Sequence, residues 1–177
     1  VLDRYYRAAR HLSADVIMRV TSDCPLIDPA ICASVLRLRA EGDADYACNN
    51  MPPSWPHGLD CEAFTFAWLE RAAREASKPS EREHVTPFIR GHPEARKVNL
   101  EGPGGSIAKH RWTLDYLEDL VFLRALFHKL PADPAVPRMD DVLEVLDAYP
   151  EISAINRHCH DPGRQAEHSC TNKRKVP

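Results

Sequence analysis

An α/β domain with a mostly parallel sheet is what this chain predicts, on three observations. Apolar runs rich in Val, Ile and Met alternate with amphipathic helical stretches. One of those runs, Asp15-Val16-Ile17-Met18-Arg19-Val20-Thr21-Ser22-Asp23-Cys24-Pro25-Leu26-Ile27-Asp28-Pro29, empties into an acidic loop and then a helix start. And 177 residues suit a single domain, long enough to bury roughly 70% of the surface its unfolded form exposes.

The elements follow in order. Val1 to Arg10 reads as a helix already under way. Residues 16–21 are apolar enough for a strand covered on both faces. Asp28 followed by Pro29 is a capping carboxylate and a first-turn proline, and Ile31, Val35 and Leu38 give the next helix one apolar face up to Gly42. Residues 45–48 form a short strand. Residues 49–58, with Pro52, Pro53 and Pro56, form an irregular loop. Residues 59–64 alternate as a strand, and Phe66, Leu69 and Ala73 mark a helix after it.

Ser80-Glu81-Arg82-Glu83 has the capping-box pattern and opens a short helix through Ile89 that Pro87 should bend. Strands are expected at 97–100 and 111–114, with a turn at 102–105. A helix then turns Leu120, Leu123, Phe127 and Leu130 inward. Residues 131–137 are a Pro-rich linker, and Val142, Val145, Leu146 and Tyr149 line a last helix. The domain spans 1–157. Residues 158–177 are a polar tail without apolar pattern, expected to be disordered.

Composition excludes several classes. Hydrophobic content of 44% and charged content of 28% suit a globular fold. A net charge of -3 argues against a general binder of nucleic acid or anionic membrane. No apolar run approaches the ~20 residues of a membrane span. Most of the cysteines sit in apolar patterns with no CxxC pair, as in a reducing, cytoplasmic setting. His158, Cys159, His160, His168 and Cys170 could bind zinc by ligand type, but no finger spacing accompanies them.

Taken singly, the acidic residues need no chemistry. Asp23 has only to turn a loop, and Asp115 only to cap a helix beginning at Tyr116, with Glu118 three residues on. Four ordered blocks say more. They are Asp23-Cys24-Pro25-Leu26-Ile27-Asp28-Pro29, Gly58-Leu59-Asp60-Cys61-Glu62-Ala63-Phe64, Ser80-Glu81-Arg82-Glu83-His84-Val85-Thr86-Pro87-Phe88-Ile89, and Arg111-Trp112-Thr113-Leu114-Asp115-Tyr116-Leu117-Glu118-Asp119-Leu120. Together they resemble the spore-coat-polysaccharide (SpsF-like) cytidylyltransferases, relatives of the acylneuraminate and 3-deoxy-manno-octulosonate enzymes. The resemblance runs over residues 1–158.

The resemblance implies a Rossmann-like, three-layer nucleotidyltransferase sheet. It implies CMP transfer from CTP to a sugar acid or related sugar in the cytoplasm, with Mg²⁺ as cofactor and a homodimer as assembly. By the same resemblance Asp23 and Asp115 are the catalytic, metal-binding carboxylates at the carboxyl edge of the sheet. Asp60 and Glu62, sharing a strand face, point to the sugar side, or equally to solvent. Arg82, His84 and Arg111 are anion-contact candidates. Each also has a structural reading, a satisfied core position for His84 in particular.

One part of the family pattern has no counterpart here: the opening strand and its Gly- and Arg-containing loop ending in Lys, which holds the triphosphate. The chain therefore reads as the C-terminal two-thirds of such an enzyme, with an exposed sheet edge and no turnover of its own. Two other readings keep the residues and change the role: a non-catalytic sugar-nucleotide-binding or subunit-contact module, and a glycosyltransferase on a similar sheet.

Overall fold

A computed structural model describes residues 1–131 and 136–159. It divides into two compact units, each built from separate stretches of chain.

The first unit comprises residues 1–19, 34–48 and 61–100. Its centre is a four-stranded sheet of β1 (Val16–Arg19), β2 (Tyr46–Cys48), β3 (Glu62–Thr65) and β4 (Lys97–Asn99), in the order β1-β3-β2-β4. β3 pairs antiparallel with both β1 and β2, and β2 pairs parallel with β4. Three strands therefore run one way and β3 runs against them. The mostly parallel pairing expected from the alternation of strands and helices is corrected to a mixed sheet. The connection over residues 49–61 returns the chain as a β3 antiparallel to β2, which period and spacing do not reveal.

Helix α1 (Leu2–His11) lies along α3 (Phe66–Glu75), where the Tyr6 and Phe66 rings stack at 5.9 Å and the Tyr6 hydroxyl donates to Glu70. Thr65 caps α3 by accepting from the Trp68 N–H. Leu2, Val35, Tyr46, Phe64, Leu69 and Ile89 are the large buried side chains of this unit. The single helix expected over 80–89 is two, α4 (Pro79–His84) and α5 (Pro87–Gly91). Val85 separates them in a left-handed conformation, φ 71°, and the proline at 87 starts the second helix rather than bending the first. The α4 cap is shifted as well. Glu81, not Glu83, reaches back to a backbone N–H, that of Lys78.

The second unit comprises residues 20–33, 49–60 and 101–177, described to residue 159. It holds the start of α2 (Pro29–Glu41), a short 3-10 helix (Ile107–Lys109), α6 (Leu117–Lys129), α7 (Met139–Ala148) and α8 (Pro150–Ala154). Leu26, Leu59, Trp112, Phe122, Leu126, Val142 and Ile152 form its core. Phe122, Leu123 and Leu126 make the buried face of α6, whereas Phe127 is exposed, so the inward stripe lies about one residue off the expected one.

Asp28 caps α2 as the sequence predicts, accepting from the Ala30 and Ile31 N–H groups with Oδ1. Its Oδ2 accepts from the N–H of Met139, the first residue of α7. The strand expected at 111–114 is a single parallel bridge between His57 and Arg111. Most of the expected linker at 131–137 and of the tail at 158–177 lies outside the described residues, as do His160, His168 and Cys170.

Candidate functional site

The site is built in the second unit on two loops, the one after β1 and the one before α6. The loop after β1 carries Asp23, half-buried, with Cys24 buried behind it. The backbone carbonyl of Asp23 accepts from the Leu114 N–H at 2.8 Å and from the Thr113 hydroxyl at 3.0 Å. Those two bonds lash the Asp23 loop to the segment that ends one residue later in Asp115. The Cys24 thiol points at the Asp23 carboxylate, 3.7 Å away, and contacts the Thr21 hydroxyl at 3.3 Å. Burial pushes its pKa up to about 12, so it stays a neutral thiol.

Asp115 is exposed over 44% of its side chain. It is not the helix cap that the spacing offered. α6 begins two residues later, and the capping carboxylate is Asp119, which accepts from the Asp115 and Tyr116 N–H groups at 3.0 Å each. Asp115 is thereby released from structural duty at the helix end. One of its oxygens accepts instead from Arg111, at 2.7 Å.

Arg111 is the hub. Its Nε and Nη2 donate to the two oxygens of Asp119 at 2.9 and 2.8 Å, a bidentate pair, while Nη2 also reaches Asp115. The guanidinium lies over the Tyr116 ring, 5.1 Å from its centroid. Asn156 completes the cluster, donating to Asp119 Oδ1 and to the Arg111 carbonyl. Asp119 is fully buried. Burial alone would raise its pKa, but Arg111, Asn156 and the two backbone donors outweigh it and hold the value at about 2. Arg111 likewise stays charged against its desolvation because two carboxylates face it.

Gly58 shapes the floor. Its φ is +113°, and a Cβ there would sit 2.6 Å from the Trp112 carbonyl carbon. Only glycine lets the loop at 57–59 lie against the Arg111–Thr113 segment. Asp60 follows, half-buried, with Oδ2 accepting from the Gly58 N–H. It turns this loop and does not share a strand face with Glu62, since β3 begins at Glu62.

The remaining candidates belong to the first unit. Glu62 is buried, and its carboxylate accepts from Arg19 at 2.7 Å, Tyr46 at 2.5 Å and Thr86 at 2.6 Å. Such a carboxylate is spent on the fold. Burial, then the Glu62 charge, push the Tyr46 phenol well above its ordinary pKa. Arg82 donates to the Ala73 and Ala76 carbonyls and pairs with Asp3, tying α4 to α1 and α3. His84, at the end of α4, is exposed rather than a core position. The structure thus brings Asp23, Asp60, Arg111 and Asp115 into one unit and leaves Glu62, Arg82 and His84 in the other. Sequence reasoning passed over Asp119 and Asn156. Asp119 stood inside the Arg111–Leu120 block, three residues after Tyr116, which is the spacing of a capping box.

The carboxylates fit a hard cation only as a partial ligand set. Among the described residues, no group of three or more His, Cys, Asp or Glu side chains is disposed to hold a metal. Mg²⁺ commonly takes one or two carboxylates and completes its shell with water and phosphate oxygens, so a pair such as Asp23 and Asp115 suits it.

The mixed four-stranded sheet with its helices is a nucleotidyltransferase-type α/β fold, and comparison with known proteins agrees. A cytidylyltransferase from Leptospira borgpetersenii serovar Hardjo-bovis superposes with a TM-score of 0.77 at 28% identity, over 85% of this chain and 63% of that one. An uncharacterized protein of Methanocaldococcus jannaschii is 32% identical over 161 residues, 88% of this chain. The spore coat polysaccharide biosynthesis protein SpsF of Bacillus subtilis is 29% identical over 155 residues, 86% of this chain. No family model matches. In sequence and fold the chain is thus similar to SpsF-like cytidylyltransferases. It spans 63% of the length of each of these relatives.

Proposed function

We propose that the protein of which this chain forms at least a large part is a cytidylyltransferase, moving CMP from CTP to a sugar acid or related sugar for surface-polysaccharide synthesis. The observation that carries this reading is the lashing of the Asp23 loop to the Asp115 segment through the Asp23 carbonyl. Held on neighbouring backbone in this way, the two carboxylates would share a cation whose other ligands are water and phosphate oxygens. In the reaction, a sugar hydroxyl oxygen bonds to the α-phosphorus, the bond to the bridging oxygen breaks, and pyrophosphate leaves with that electron pair while the hydroxyl loses its proton.

Asp23 and Asp115 would hold Mg²⁺, which supplies charge neutralisation for the triphosphate and the departing pyrophosphate. The chain's own contribution is placement. Thr113 and Leu114 fix the Asp23 loop, and Gly58 permits the close approach of the 57–59 loop to the Arg111–Thr113 backbone.

The test is product analysis with a protein of the relatives' full length, incubated with CTP, Mg²⁺ and candidate sugars. Pyrophosphate release that Asp23→Ala and Asp115→Ala abolish, with folding unchanged, supports nucleotidyl transfer. Release of a nucleoside diphosphate would mean glycosyl transfer instead. Near-normal CMP-sugar formation in both variants would end the carboxylate assignment.

A further inference from the structure

We propose that Asp119 is a positioning residue for Asp115: by taking up two N–H groups of Arg111 and the backbone N–H of Asp115, it limits Arg111 to one hydrogen bond on Asp115 and leaves that carboxylate able to hold a cation. The inference rests on the assignment of Asp115 above.

Three observations carry it. Asp119 has no exposed surface, so it cannot itself meet a substrate. Its two oxygens accept five hydrogen bonds, from Arg111 Nε and Nη2, Asn156 Nδ2, and the Asp115 and Tyr116 N–H groups. Three of those bonds bear directly on Asp115, one fixing its backbone and two fixing the cation beside its side chain. Asp115, by contrast, keeps 44% of its side chain exposed.

The charge arithmetic is simple. Arg111 faces two carboxylates, so the trio carries net -1, and a divalent ion meets an attractive field. Were Asp119 neutral, Arg111 would have only Asp115 to pair with, and the guanidinium would compete with the metal for it. A fork-shaped cation released from one carboxylate turns readily onto the next, because both oxygens of a carboxylate match its geometry.

Mn²⁺ binding to this chain, read by electron paramagnetic resonance with Mg²⁺ as competitor, tests this without any turnover. Asp119→Asn is expected to weaken Mn²⁺ binding at least about tenfold, although neither presumed ligand is altered. Adding Arg111→Gln to it removes the competing cation and is expected to restore binding to within about threefold of the unaltered chain. General structural damage would not be repaired by a second substitution in the same cluster.

Asp119→Asn binding as tightly as the unaltered chain would overturn the proposal, as would a double variant no tighter than the single one. Where Asp119→Asn fails to fold, the double variant decides, since it leaves no uncompensated buried charge. Binding within about threefold supports the proposal, and loss overturns it. Asp115→Ala reports separately. If Mn²⁺ binding is absent from the unaltered chain or survives that change, the assignment of Asp115 has failed, and the role of Asp119 falls with it.

Discussion

Asp119 and Arg111 form a buried, bidentate ion pair, and removing one member leaves the other charged and dry. Asp119→Ala should therefore destabilise the chain by about 3–5 kcal/mol, read as a lower urea midpoint with an unchanged slope. The same residue sets a pH dependence. Its folded pKa of about 2 lies below the ordinary carboxylate value of about 3.9. Its contribution is thus complete above about pH 4 and is lost as pH falls toward 2. Unfolding midpoints measured across pH 5 to 2 should fall in that window, and Asp119→Asn should flatten the fall. Glu62 is the corresponding node of the first unit, and Glu62→Ala should cost a similar amount, because Arg19, Tyr46 and Thr86 all lose their acceptor. At this scale the chain was readable for Asp28, whose carboxylate caps the helix that Pro29 begins. The partners of Glu62 and Arg82, among them Tyr46 and Asp3, were not readable, because they come from distant sequence that no local pattern connects.

Among the elements, the loop at 57–59 depends on one absent side chain. Gly58→Ala would force a Cβ onto the Trp112 backbone while holding a φ of +113°. A loss of at least about 2 kcal/mol is expected, measurable as a drop in thermal midpoint, with Asp60 and Arg111 displaced from each other. Helix bounds were legible where a cap and a periodic face coincide, as at Asp28-Pro29. They were not legible at Val85. A β-branched residue at φ 71° is a conformation that no propensity argument would choose, and it is imposed by packing, since Val85 is fully buried. The face of α6 was misread by one position because Leu and Phe fill both sides of it, with Leu117, Val121 and Phe127 exposed. Periodicity cannot choose between two apolar stripes.

For the molecule as a whole, β1 stands at the border of its sheet, with β3 as its only strand partner among the described residues. Val16, Ile17 and Met18 lie on that strand, with one charge, Arg19, at its end. Such a border invites pairing with another copy, so light scattering of this chain should show association that rises with concentration. Among the described residues no helix is long and apolar enough to cross a membrane. The class of fold was legible from alternation alone, while strand direction was not, because a reversed β3 leaves the same apolar signature as a forward one. Asp28 adds a last consequence. Its two oxygens hold the first turns of α2 and α7, stretches separated by more than a hundred residues. Amide exchange in those two turns should then keep a common tempo, and Asp28→Ser, able to serve only one of them, should set the two clocks apart.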